Sequence, residues 1–179
     1  MFQEKSSIKG FVRATVIGSD GEIKRFEPRW WEKLLGLPGR LMISENHNIV
    51  TNEGDALIVD MLVTTGTQTA VDNANGVIGV GTGFVSATKT TDALVAQTGS
   101  NEAMDATYPK QKGAFGATDD NVIQYRSTFE AGDLNTTGID EALLGNGTDT
   151  LAYAEINPAV NVTSSDTLQV DWELTFLGA

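Results

Sequence analysis

From Asp166 to Phe176 the chain alternates without a break: Leu168, Val170, Trp172, Leu174 and Phe176 share one phase, and Thr167, Gln169, Asp171, Glu173 and Thr175 share the other. Side chains alternate faces with period two along a strand and recur with period 3.6 along a helix, so this stretch predicts a half-buried antiparallel strand. Its five apolar residues need a cover, which sets the first requirement on the fold. Residues 8–17 predict a second strand, with Ile8, Val12, Ala14 and Val16 in one phase and Lys9, Phe11, Arg13, Thr15 and Ile17 in the other. Gly18-Ser19-Asp20-Gly21 supplies an Asp-Gly turn, and residues 22–27 then read as the return strand of a hairpin, closed by Pro28. Shorter strands are expected at residues 47–50, 77–81, 122–129, 138–144 and 151–156, where β-branched and aromatic residues lie between Gly-rich and Asn-rich turns. Residues 86–112 are polar and irregular and are expected to cross one end of the sheets as a long excursion.

Two segments carry helical spacing instead. Thr51-Asn52 offers a cap, Glu53 and Asp55 fall in the acid-favouring first turn, and Ala56, Leu57, Ile58, Met61 and Leu62 form an apolar stripe. Arg29-Trp30-Trp31-Glu32-Lys33-Leu34-Leu35 is shorter; it is stopped by Gly36 and Pro38-Gly39 and sets Trp30 over Leu34 and Trp31 over Leu35. Burying both the last strand's apolar face and a helix stripe predicts a mainly β fold: an antiparallel β-sandwich-like domain with one covering helix and a short amphipathic helix near the N-terminus. Residues 1–50 are expected as an arm or subdomain, a hairpin plus the Trp-containing helix, and residues 51–179 as the β-sandwich-like body.

Charge divides the chain at the same place. Residues 1–50 hold eight basic against six acidic residues, or plus 2; the whole chain has 12 basic and 24 acidic, so residues 51–179 hold 4 minus 18, or minus 14. A mildly basic head on an acidic body suits head-to-body packing of one copy on the next, or packing on a larger partner. The same balance argues against nucleic acid, whose phosphates require a basic patch. No apolar run reaches the length of a membrane-spanning helix, and the first residues lack the apolar core of a signal peptide, so a soluble, unprocessed chain without a membrane partner is expected.

The residue inventory bears on chemistry. There is no Cys, and His47 is the single His, which removes thiol nucleophiles, thiolate metal sites and two-histidine centres, and leaves a Ser-His-Asp triad almost out of reach. Asp119-Asp120, Asp140-Glu141 and Asp171 with Glu173 are paired acids of the kind glycosidic chemistry uses, yet Asp171 and Glu173 share the polar face of a strand and read as a solvated surface. Neither the Asp119-Asp120 loop nor Asp133 sits in a calcium-loop frame. Gly79, Gly81 and Gly83 mimic a phosphate cradle, without the Gly-Lys-Ser/Thr or the following helix that such a site needs. The expectation is a non-enzyme with no catalytic residues, cofactor or metal. Tyr108 and Phe115, in the long excursion, are the aromatics outside core phase and the candidates for a receptor-binding platform.

The candidate interface is the short Trp helix. Trp30, Trp31, Leu34 and Leu35, flanked by Arg29, Lys33 and Arg40, form a segment too short to be stable alone, so it must pack on something. It caps the domain's own core, inserts into a neighbouring subunit, or lies on a membrane surface, the last weakly supported by its length and single basic face; Trp and Arg are the residue types that most often anchor interfaces.

In order along the chain stand a charged hairpin, His47-Asn48-Ile49-Val50-Thr51-Asn52-Glu53-Gly54 before a helix, Ile78-Gly79-Val80-Gly81-Thr82-Gly83, Thr91-Asp92-Ala93-Leu94, Thr128-Phe129, Ile139-Asp140-Glu141-Ala142, and a closing Ser165-Asp166-Thr167-Leu168-Gln169-Val170-Asp171-Trp172. This series, over roughly residues 8–177, resembles small β-rich structural proteins of tailed bacteriophage virions. The Thr91-Asp92-Ala93-Leu94 element falls later than in such proteins, and the Trp30-Trp31 helix looks like an insertion. The resemblance implies a virion protein assembled in the bacterial host cytoplasm: a capsid decoration or cement protein on the major capsid protein, or a neck, tail or fibre component, or a receptor-binding module. It implies homo-oligomers, with a trimer favoured by analogy, and carries over no catalytic residue.

Overall fold

A computed structural model describes residues 7–63 and 66–177. The strands are β1 (Ser7–Ile17), β2 (Ile43–Val50), β3 (Val77–Gly81), β4 (Gln97–Ala103), β5 (Lys110–Gln111), β6 (Val122–Phe129), β7 (Thr136–Gly145), β8 (Thr150–Val162) and β9 (Thr167–Leu177); the helices are α1 (Trp30–Leu34) and α2 (Asn52–Met61). All nine strands join one antiparallel sheet in the order β4-β3-β7-β8-β2-β1-β9-β6-β5.

The closing strand follows its alternation: Leu168, Val170, Trp172 and Leu174 are buried, and Phe176 packs against them. It lies between β1, paired from Ser7↔Leu177 to Ile17↔Thr167, and β6, paired from Val122↔Thr175 to Phe129↔Leu168. Val12, Ala14 and Val16 of β1 and Tyr125 and Phe129 of β6 enter the same core. On the other half, β7 and β8 bring Ile139, Leu144, Leu151 and Ile156 to it. The sheet curls until its two flanks meet: the amide of Asp105, just past β4, donates to the carbonyl of Arg126 on β6 at 2.8 Å, and the Ser127 hydroxyl donates to the carbonyl of Glu102 at 3.2 Å. The mainly β, sandwich-like expectation therefore holds, with the facing layers supplied by one sheet curled on itself.

Three details differ from the sequence expectations. Residues 22–27 return on β1 only briefly, through the antiparallel bridge Ile17↔Ile23 and the Lys24 amide on the Val16 carbonyl; Arg25 then bridges to Leu41, and β1 takes β2 as its ladder partner from Gly10↔Asn48 to Thr15↔Ile43. The division at residue 50 does not coincide with a break in the sheet, because β1 and β2 sit in its middle, and what leaves the sheet is the connection spanning residues 18–42. Residues 86–112 contain β4 and β5.

The covering helix α2 starts at the expected cap, where the Thr51 hydroxyl accepts the Gly54 amide at 2.9 Å. Only part of it packs: Gly54 and Leu57 are buried and Ile58 is half-buried, while Val59, Met61 and Leu62 are exposed. A β-carbon on Gly54 would stand 2.1 Å from the Leu151 carbonyl oxygen, so this glycine sets how closely α2 approaches β8.

Trp172 is wholly buried at the centre of the sheet. Truncating Trp172→Ala is expected to cost about 3–5 kcal/mol, read by denaturant unfolding, whereas Phe115→Ala, at a residue 96 % exposed, is expected to stay within about 0.5 kcal/mol of the parent.

Candidate interaction surface

The connection spanning residues 18–42 is a projecting arm with a narrow hydrogen-bonded base. The Lys24 amide donates to the Val16 carbonyl at 2.9 Å, Met42 to Lys24 at 2.6 Å, and Phe26 to Arg40 at 2.9 Å. The Arg25 guanidinium donates to the Gly39 carbonyl at 2.9 Å, and the Arg40 guanidinium lies over the Phe26 ring at 4.8 Å from its centroid. A second tie runs to the turn between β8 and β9, where the Lys24 ammonium meets the buried Asp166 carboxylate at 2.7 Å. Asp166 also accepts the Thr163 hydroxyl at 2.6 Å and the Thr163 amide at 2.8 Å. Burial works to raise this carboxyl, and the Lys24 and Thr163 donors outweigh it, so Asp166 titrates below the ordinary carboxylate value.

At the tip sits α1. The Glu32 carboxylate accepts the Arg29 amide at 2.5 Å, Lys33 reaches Glu27 at 3.4 Å, and Gly36, at φ +66°, lets the chain turn back so that the Leu37 amide donates to the Glu32 carbonyl at 2.8 Å. No residue of α1 is buried. Trp30 is 78 % exposed, Trp31 40 %, Leu34 78 % and Leu35 66 %, with Leu37 and Leu41 also exposed. Arg29, Lys33 and Arg40 are exposed beside them. Beneath the arm an open groove of about 700 Å³ runs along β8, lined by Arg25, Phe26, Arg29, Arg40, Met42 and Pro158 among others.

Of the three placements the sequence left for the Trp helix, packing on the domain's own core is not the one found. Six exposed apolar side chains, two of them Trp, gathered on one short arm are a concentration of the kind that marks an interaction surface. A five-residue helix has no intrinsic stability to spare, so its form here rests on the hairpin base and on Gly36.

The other candidate residues have structural partners or lie apart. Asp171 and Glu173 share the outer face of β9, where Asp171 pairs with Arg126 at 2.6 Å and Glu173 with Lys112 at 3.0 Å. Asp120 accepts the Gly116 amide at 2.8 Å within its own loop. His47 is exposed on β2, with Nδ1 3.4 Å from the Gly10 carbonyl oxygen and its ring edge-on to Phe11. Tyr108 is not an exposed platform: it is buried under the cations of Lys110 and Arg126, at 4.4 and 4.9 Å from its ring centroid. Phe115 alone of that pair is exposed. Among the described residues, no group of three or more His, Asp or Glu is placed to hold a metal ion.

Asp140 and Glu141 of β7 each hold a neighbouring loop. Asp140 accepts the Phe84 amide at 3.0 Å. Glu141, fully buried, accepts the amides of Val95 and Ala96 at 2.9 and 2.8 Å together with the Tyr153 hydroxyl, and Phe84 stacks on the Tyr153 ring at 5.8 Å. Burial, the bond to Glu141 and the nearby carboxyl charges push the Tyr153 phenol above its ordinary value. The glycine run belongs to the same cluster: a β-carbon on Gly81 would lie 2.4 Å from Glu141 Oε1, and one on Gly79 would lie 2.4 Å from Asn101 Oδ1. Gly79 and Gly81 thus admit the neighbouring chain and the buried acid, in place of a phosphate.

No protein-family model matches the chain, and neither the curated proteins nor the solved structures contain a match to it.

Two outcomes follow from this geometry. Trp30→Ala with Leu34→Ala is expected to change the unfolding free energy of the dilute protein by no more than about 0.5 kcal/mol, as for surface positions; a loss above about 2 kcal/mol would place these side chains in the domain's own core. Because the folded-state pKa of Asp166 is depressed, its contribution is complete above the unfolded value of about 3.9 and is lost as pH falls through the folded value. Asp166→Asn is therefore expected to lower the unfolding midpoint at pH 6, with the difference from the parent shrinking toward pH 2; a difference constant with pH would contradict the Lys24–Asp166 anchor.

Proposed function

We propose that this chain is a non-enzymatic structural protein of a tailed bacteriophage virion, a capsid decoration or cement protein that packs on the major capsid protein lattice. The observation that carries the assembly part of this reading is α1, a helix with two Trp and one Leu, capped by Leu35, that has no buried residue and is held out from the sheet by a hydrogen-bonded base. A surface of that size and composition is suited to burial by another protein. The virion context comes from the ordered sequence motifs over residues 8–177. The acid pairs hold loops or ion pairs, which favours an architectural role for them over a catalytic one. With Tyr108 buried, a receptor-binding module loses one of its two candidate aromatics.

Quantitative peptide mass spectrometry on purified particles tests the reading. A copy number near that of the major capsid protein, or a fixed large fraction of it, is expected. A few copies to a few dozen per particle would move the protein to the neck, tail or fibres, and absence from particles would refute a virion role.

A further inference from the structure

We infer that the arm of one copy docks against an acidic corner of a second copy of the same chain, so that copies join head to tail. This rests on the proposed reading of the arm as an assembly surface and names its occupant. The corner is built where the flanks of the curled sheet meet: Glu102 on β4, Asp105 just after it, and Glu130 and Asp133 in the turn between β6 and β7. None of the four carboxylates forms an ion pair among the described residues. Burial, and then the neighbouring charges of Asp133, Asp105 and Glu130, raise the Glu102 carboxyl above its ordinary value, so the corner is a crowd of like charges; Arg126, whose charge acts on Asp105, is already paired with Asp171. The arm has the opposite surplus. Arg25, Arg29 and Arg40 have no carboxylate partner among the described residues, and they flank the exposed Trp30 and Leu34.

Topology keeps the two surfaces of one copy apart. The arm leaves from β1 and returns to β2, the middle of the sheet order, whereas the corner lies at the meeting of β4 and β6, on the far side of the curl. Both lie at the same end of the strands, since Ile17 pairs with Thr167 and Phe129 pairs with Leu168. A projection on one side and its charge complement on the other, at one level, form a heterologous interface that is satisfied only between copies and closes into a ring when the rotation allows.

Sedimentation velocity on the purified full-length chain over a dilution series tests this. A species heavier than the 19.1 kDa monomer is expected to grow with concentration. Arg29→Glu with Arg40→Glu, and separately Glu102→Lys with Glu130→Lys, are each expected to weaken association about tenfold or more. The chain carrying all four changes restores the charge match in reverse and is expected to regain association. Near-ultraviolet circular dichroism of the buried Trp172 identifies the folded variants. A parent that stays monomeric throughout, or a folded four-change chain that associates no better than either double variant, would overturn the inference. The purified chain contains no particle, so a monomer in this experiment together with a fixed copy number in virions would assign the arm to another virion protein and leave the proposed function standing.

Discussion

The pairing of the first described strand with the last organises this molecule. From Ser7↔Leu177 to Ile17↔Thr167, β1 and β9 run side by side in the middle of the sheet and join a half built of β4, β3, β7, β8 and β2 to a half built of β9, β6 and β5. Remove that ladder and the two halves lose their strand-to-strand link and are left with the bonds where the flanks meet, Asp105 to Arg126 and Ser127 to Glu102, with Trp172 and Val12 opened to water between them. Its contacts span almost the whole sequence, so they are the most costly to form in loop entropy. The same ladder places the arm. Because β1 is central, the connection that follows it must leave and re-enter the sheet at its middle, which is why α1 stands away from both flanks.

Much of this was legible where hydrophobic periodicity is strong. The alternation from Leu168 to Phe176 and the β-branched run of residues 122–129 correspond to β9 and β6. Periodicity fails where the inward positions are polar. Along β2 the inner phase is Ser44, Asn46 and Asn48 before Val50, and only residues 47–50 carried a strand signal. β4 contains no apolar side chain larger than Ala103, so nothing in its composition announces a strand; the fold adds it to the edge beside β3. β8 runs on through Pro158 because β2 accompanies it only at Ala152 to Ala154, leaving β7 as the one neighbour near the proline. Residues 22–27 turn back on β1 at the Asp-Gly turn, but the return stops after Ile23 and Lys24, because β1 pairs along most of its length with β2.

The candidate surfaces were legible to different degrees. The spacing of Trp30, Trp31, Leu34 and Leu35 marks a short amphipathic helix, yet spacing does not say what covers it, and the answer lies in the hairpin base that holds it outward. The acidic corner was out of reach, since Glu102, Asp105, Glu130 and Asp133 come from two separate stretches that meet only when the sheet curls. The Glu141 cluster had a sequence signal of another kind. Glycines at alternate positions, Gly79 and Gly81 on β3 and Gly83 just past it, mark close approach, and here Gly81 and Gly83 make room for a buried acid and the chain it holds.

The account stands on the arm being open in the single copy and covered in the assembly. Hydroxyl-radical footprinting resolves this residue by residue, with the three Trp residues of the chain as probe and control. In dilute monomer, Trp30 is expected to oxidise most readily and Trp31 less, while Trp172 stays protected; in assembled material, Trp30 and Trp31 are expected to join Trp172 in protection. Equal oxidation of Trp30 in monomer and assembly would contradict the central claim.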